Sequence, residues 1–377
     1  MSDQPRPMRV LHCMWSGETG GAERAVYQLV REQLRDQGIA PAVLFAQARG
    51  PYYEAARELG CPVTDAGIRH GRAFWATGHT AKAMRGFDIH HFHSPEPLLM
   101  AASLRCRGTT RVFTRRGGTT ELTAAKRVRY RLISAMLKRG FTGFTANSAH
   151  AARTADALFG IPEHRFAVVH NGIDFSLLAP RRTEAEVRDE LELGPEEFVL
   201  GTAANLKPWK RIDRLIAALA DGDDSGMRLL ILGDGDDRAK LESVALRLGV
   251  AERTIFTSSR PHVADYLQVM DAFSLPSAGP ESFGNAAVEA MALRVPTIVF
   301  SDGGGLVEHV TSGDTGFVVD DQAELEATIG RLRDDQELRR RIGQAGSEAV
   351  RRRYTPERAA EGYRSVYEAA MKARRRG

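Results

Sequence analysis

Short apolar runs alternate with helical patterns along most of the chain. In the first half, residues 10–15, 42–45, 62–64, 87–92, 111–114, 143–146 and 166–169 read as strands. Between them lie a helix ending near Gly38, a short one at 53–59 closed by Gly60, and an amphipathic one at 124–139. Residues 175–197 are polar and charged, with Pro180 and Pro195, and read as a connection. The alternation then resumes. Strands are expected at 198–203, 229–232, 254–256, 272–277, 295–300 and 316–319, and helices at 211–220, 239–248, 263–270, 323–334, 336–352 and 356–374. Repeated strand–helix alternation predicts parallel, doubly wound sheets. The fold class is therefore α/β, with one Rossmann-like domain over 1–174 and a second over 198–355, facing each other across a cleft suited to a nucleotide and a second substrate.

Length supports the division, because 377 residues exceed one ordinary core. An apolar fraction of 43% and a charged fraction of 27% are those of a globular protein. The net charge of +4 is too small to argue for nucleic acid. Cys13, Cys61 and Cys106 form no CxxC pair, so neither a zinc site nor a disulfide framework is indicated, and reduced cytoplasmic thiols are expected. The N-terminal stretch lacks a signal-peptide pattern, and no apolar run is long enough to span a bilayer. The helix at 124–139 carries Val128, Leu132, Met136 and Leu137 among Arg127, Arg129, Arg131, Lys138 and Arg139. It reads as a sheet cover with a basic outer face, or alternatively as a peripheral contact with the inner membrane face.

Candidate chemistry concentrates at predicted strand ends. Glu281 and Glu289 stand eight residues apart, with Phe283-Gly284-Asn285 between them, after a strand and at the start of a helix. That position offers free N–H groups and a positive dipole end to a diphosphate. It sets the second carboxylate about 7–10 Å along the helix axis. The bland alternative is two solvated glutamates. Asn205-Leu206-Lys207-Pro208-Trp209-Lys210-Arg211 follows the first strand of the second domain and suits a diphosphate, or else is a solvated basic loop. Gly20-Gly21-Ala22-Glu23 follows strand one and opens a helix, which is a phosphate setting or a simple tight turn. It is not Gly-x-Gly-x-x-Gly, and strand two ends in Phe45-Ala46-Gln47 without a ribose-binding acid, which disfavours a dehydrogenase; a Gly-Lys-Ser/Thr loop is lacking too. In His90-His91-Phe92-His93, alternation puts His91 and His93 on one face, and a polar contact to sugar hydroxyls is favoured over metal. Asp221-Gly222-Asp223-Asp224 reads as a solvated turn.

Together these stretches resemble the retaining glycosyltransferases of the GT-B fold, family 4. The matches run through Gly20-Gly21-Ala22-Glu23, His93, Asn147-Ser148, Asn171-Gly172-Ile173-Asp174, Lys210, Gly233-Asp234-Gly235, Glu281 to Glu289, and Gly304-Gly305-Leu306-Val307-Glu308. The resemblance covers nearly the whole chain, and the two glutamates with seven residues between them are its most specific part. It implies that Glu289 binds the donor ribose and Glu281 the transferred sugar. Amides at Phe283, Gly284 and Asn285 would hold sugar and phosphates. Lys210, with Gly20 and Gly21, falls to the diphosphate and His93 to the sugar. Ser258 and Arg260 border the base. The final helix, 356–377, is expected to cross back to the first domain. Where the family commonly carries Gly-Arg-Leu, this sequence has Asn205 before Leu206, with Lys207 or Arg211 as the compensating cation.

The implied donor is a nucleoside-diphosphate sugar, UDP-linked first and GDP-mannose second, used without a metal or other cofactor. The acceptor would be a small molecule, a lipid-linked glycan or a polysaccharide, chosen by loops near 67–80 and 115–122. No oligomeric state follows. A sugar-nucleotide epimerase or hydrolase, or an idle sugar-nucleotide-binding subunit, are the competing classes.

Overall fold

A computed structural model describes residues 6–68, 73–117, 123–222, 226–260, 262–279 and 281–376. Asp223, Asp224 and residues 69–72 and 118–122 of the expected acceptor loops lie outside the described residues. The chain divides into two units, Met1–Ile173 with Tyr354–Gly377, and Asp174–Arg353.

The first unit holds β1 (Met8–Met14), β2 (Ile39–Phe45), β3 (Val63–Asp65), β4 (Ile89–Phe92), β5 (Thr110–Arg115), β6 (Gly143–Ala146) and β7 (Ala167–Val168), in the spatial order β3-β2-β1-β4-β5-β6-β7. The second holds β8 (Phe198–Ala203), β9 (Met227–Leu232), β10 (Thr254–Thr257), β11 (Ala272–Leu275), β12 (Thr297–Phe300) and β13 (Phe317–Val319), in the order β10-β9-β8-β11-β12-β13. Their pairings are parallel. Helices cover both faces of such sheets, so central strands are continuous apolar runs with no in–out alternation. Consecutive Leu229, Leu230 and Ile231 are all fully buried.

Each strand order reverses once, between β1 and β4 in the first unit and between β8 and β11 in the second. Loops leaving two such strands diverge to opposite faces. They open a crevice at the carboxyl edge, the usual ligand position in this architecture. The loops after β1, β4, β8 and β11 are the ones that carry Gly20, His93, Lys210 and Glu281.

The C-terminal helix Pro356–Arg376 packs on β5, β6 and the helix Gly21–Gln33. Its Tyr363, Tyr367 and Ala370 complete an apolar cluster with Val10, Ile89 and Val112 on one face of the first sheet. Residues 175–197 contain the helix Glu184–Glu190, closed at its start by a reciprocal capping box between Thr183 and Glu186. In the basic helix Ala124–Gly140 the apolar residues separate onto two faces. Ile133 and Leu137 are fully buried, whereas Val128 and Leu132 are 67% and 53% exposed.

Candidate active site

At the switch point of the second unit, Lys210 ends the 3-10 turn Pro208–Lys210 after β8, and Glu281 lies in the loop after β11. Their side chains are only 10% and 13% exposed and form a direct ion pair. The Ser277 hydroxyl donates to the same carboxylate at 3.4 Å, and the ammonium lies 4.3 Å from the centre of the Trp209 ring. The two loops are also joined through backbone, Ala278 N–H donating to the Trp209 carbonyl at 2.9 Å. Two residues assigned separate roles from sequence thus meet here in one ion pair.

Beyond Glu281 the chain passes through Gly284, φ 76°, into the helix Asn285–Ala292. The positive φ favours glycine here, and a Cβ at Gly284 would also meet Leu306 Cδ2 at 2.2 Å. Phe283 is buried, and His309 Nε2 donates to its carbonyl at 2.5 Å, with the two rings packed edge to face. Carbonyl and following N–H share one rigid plane, so His309 also sets the direction of the Gly284 N–H. Gly305 N–H donates to the Glu281 carbonyl at 2.8 Å. The stretch from Gly304 to His309 is thus a scaffold for 281–284. His309 has no motif of its own; its position five residues after Gly304 was the available signal.

Glu289 is 4% exposed, which removes the solvated reading. The helix starts at Asn285, so Glu289 is its fifth residue. It stands one turn in, about 6 Å along the axis rather than 7–10 Å.

The remaining candidates of this unit scatter. Asn205 is exposed and lies beside Gly235. The cations expected to compensate for it are engaged elsewhere, Lys207 with Asp236 and Arg211 with Asp213 at 3.1 Å. Arg260 turns to Glu190 at 3.4 Å and covers the Tyr266 ring. Ser258 is exposed and meets Thr257 through its carbonyl.

In the first unit, Gly20 is extended and precedes the helix Gly21–Gln33. A Cβ there would sit 2.2 Å from a Glu23 carboxylate oxygen. Burial raises the Glu23 pKa, while the charge of Arg116 opposes the rise. His93 closes β4 with 4% exposure. Its Nε2 lies 2.9 Å from His12 Nδ1, and Arg116 Nε donates to its Nδ1 at 3.4 Å. His91 faces the same way, and ring nitrogens of His12, His91 and His93 approach within 4.8 Å of one another. His90 turns to the opposite face, to Ser103 and the Met84 carbonyl. Burial is the main reason that all four imidazoles titrate low, His12 and His90 at about 4.

Two family models match in tandem: Glycosyltransferase Family 4 over residues 19–177 and Glycosyl transferases group 1 over residues 183–349. Among curated relatives, N-acetyl-alpha-D-glucosaminyl L-malate synthase of Bacillus anthracis is 28% identical over 55% of this chain and 54% of its own. D-inositol 3-phosphate glycosyltransferase of Nocardia farcinica is 33% identical over 52% and 46%. The chain spans about half the length of these relatives. Among solved structures, Anabaena HepE with bound UDP has a TM-score of 0.83 at 22% identity, covering 96% of this chain and 100% of that one. A glycosyltransferase of Rickettsia africae has 0.82 at 16%, covering 97% and 99%. Tandem matches in this order, on two doubly wound units, establish that the chain belongs to the GT-B glycosyltransferases of family 4, the glycosyl transferases group 1.

Proposed function

We propose that the protein transfers a hexose or N-acetylhexosamine from a nucleoside-diphosphate sugar to an acceptor hydroxyl, with retention and without a metal. The observation that carries this reading is the buried Lys210–Glu281 pair at the β8/β11 switch point, ahead of a helix that buries Glu289. Glu281 holds the ammonium of Lys210 in place. A donor diphosphate competes for Lys210, which releases the Glu281 carboxylate to accept hydrogen bonds from the sugar. Glu289 takes the ribose hydroxyls, and the amides from Phe283 to Asn285 take phosphate and sugar oxygens. His93 is assigned to the sugar, Gly20 and Gly21 to the diphosphate.

In the transfer step the bond from the anomeric carbon to the leaving phosphate oxygen breaks through an oxocarbenium-like state. The acceptor oxygen bonds the same face of that carbon, and its proton passes to the departing diphosphate. Lys210 and the helix-start amides stabilise the developing charge. UDP is the first choice of nucleotide, supported by the UDP and UDP-glucose complexes of HepE, with GDP-mannose second. A small acceptor is favoured by the malate and inositol phosphate named for two relatives. The exposed Val128 and Leu132, among Arg127, Arg129 and Arg131, support a peripheral membrane contact. A thermal-shift panel of UDP, GDP, UDP-glucose, UDP-N-acetylglucosamine and GDP-mannose tests the reading. One nucleotide and its sugar conjugate should raise the melting temperature; a flat response to all five contradicts it.

A further inference from the structure

The cluster around His93 is a hydrogen-bonded chain whose direction follows from one end. Arg116 can only donate, so His93 Nδ1 must accept, at 3.4 Å. A neutral His93 then carries its proton on Nε2 and donates to His12 Nδ1 at 2.9 Å. His12 in turn donates from Nε2 to Gln33 Oε1 at 2.8 Å. The Gln33 amide nitrogen donates to the Tyr367 hydroxyl at 3.4 Å. Tyr367 donates to His91 Nδ1 at 2.8 Å, and His91 Nε2 to Thr114 at 2.6 Å. Thr114 closes the series on Thr145 at 2.5 Å. From His93 onward each of these side chains is at most 4% exposed. All six imidazole nitrogens of His12, His91 and His93 have protein partners in this chain, so hydrogen bonding accounts for the cluster.

Arg116 is itself anchored away from His93. Nη1 donates to Asn171 at 2.6 Å and Nη2 to the Tyr363 hydroxyl at 2.9 Å, with the guanidinium over the Tyr363 ring. Its bond to His93 is the longest of the three. His93 Nε2 is committed to His12 at 2.9 Å, so a ligand hydroxyl meets the ring at Nδ1, beside the long bond from Arg116.

We propose that Arg116 is a positioning residue that fixes the tautomer of His93, so that His93 serves the donor sugar as a hydrogen-bond acceptor at Nδ1. The sugar group that fits is therefore a hydroxyl donating its proton, not a carbonyl or a carboxylate oxygen. The C-terminal helix takes part through Tyr363, which holds Arg116, and Tyr367, which continues the chain. The sugar contact rests on the donor-site reading above; the tautomer does not.

Long-range proton–nitrogen correlation spectra of the full chain labelled with 15N-histidine test both parts. In the wild type, His12, His91 and His93 should each carry the proton on Nε2, with an unprotonated Nδ1. His93 protonated on Nδ1, or exchanging between forms, overturns the assignment and requires no variant. In Arg116→Met, His93 should lose its single tautomer. The dissociation constant for UDP-glucose should rise about three- to tenfold while that for UDP is unchanged. Tyr363→Phe, which keeps the ring and loosens Arg116, should move both readouts part of the way. Unchanged tautomer and unchanged sugar affinity in both variants overturn the positioning role. UDP-glucose should shift the His93 Nδ1 signal where UDP does not, and a bound UDP-sugar that leaves it unmoved overturns the contact. If neither UDP-glucose, UDP-N-acetylglucosamine nor GDP-mannose binds, the donor-site reading fails and the contact with it, while the tautomer result stands.

Discussion

Lys210 and Glu281 illustrate how much one pair can decide at the scale of the residue. Buried opposite charges are costly to separate, because the survivor keeps its desolvation penalty without its partner. Lys210→Ala should therefore lower unfolding stability by about 3 kcal/mol in urea titration, and Glu281→Gln in the same chain should recover most of it. No recovery would mean that the two side chains do not compensate each other. Glu289 carries a different expectation. A buried carboxylate on ribose hydroxyls makes charge-assisted hydrogen bonds, so Glu289→Ala should weaken binding of the preferred nucleotide about 10- to 100-fold by calorimetry. Wild-type affinity in that variant would remove Glu289 from the site. The identity of these residues was legible from the loop and helix they occupy, but their pairing was not. Lys210 and Glu281 lie 71 positions apart, and local pattern places each at a strand end without saying that they touch.

Among elements, legibility followed periodicity. The helix Glu281 leads into was readable because a strand, Phe283-Gly284 and a small-residue run mark its start. The helix Pro97–Leu104 was not, because Leu98, Leu99, Met100, Ala101 and Ala102 follow one another and an apolar run has no 3.6-residue period. The helix Ala149–Phe159 did carry its signals, a Ser148 cap and a left-handed Gly160 at its end, yet it was not among the expected elements. His309 was missed for another reason: its task is to hold a carbonyl 26 positions earlier, and its only local signal is its place after the Gly304–Glu308 stretch. The basic helix Ala124–Gly140 was read with one apolar face and has two. The buried Ile133 and Leu137 belong to the core, so the exposed pair can be altered without unfolding the sheet cover. The wild type should co-sediment with phosphatidylglycerol vesicles and not with phosphatidylcholine alone, and Val128→Asp/Leu132→Asp should stay in solution. A wild type that ignores anionic vesicles rules out the membrane contact.

Across the whole molecule, strand order reverses once in each unit, and Gly20, His93, Lys210 and Glu281 follow the strands on either side of the reversal. The histidines buried in the first sheet tie the stability of the protein to pH. His12, His90, His91 and His93 all have folded pKa values below the unfolded value near 6.5, His12 and His90 at about 4. Above pH 6.5 both states are neutral at these sites and stability is insensitive to them. Between 6.5 and about 4 the unfolded chain takes up protons that the folded one refuses. Stability must then fall with falling pH, at up to about 5 kcal/mol per unit for four sites. The melting temperature should drop steadily from pH 7 to pH 5, a window above that of the ordinary carboxylates. A constant melting temperature there would show that these rings accept protons in place. The central claim, that the second unit activates a nucleotide sugar through Lys210, is tested most directly by nucleotide release. Purified protein is incubated with UDP-glucose, UDP-N-acetylglucosamine or GDP-mannose, with and without L-malate and inositol phosphate, beside folded Lys210→Ala. The wild type should release nucleotide from one donor, faster with its acceptor, and Lys210→Ala should be slower by about 100-fold or more. Release by Lys210→Ala within about threefold of the wild type would contradict the account.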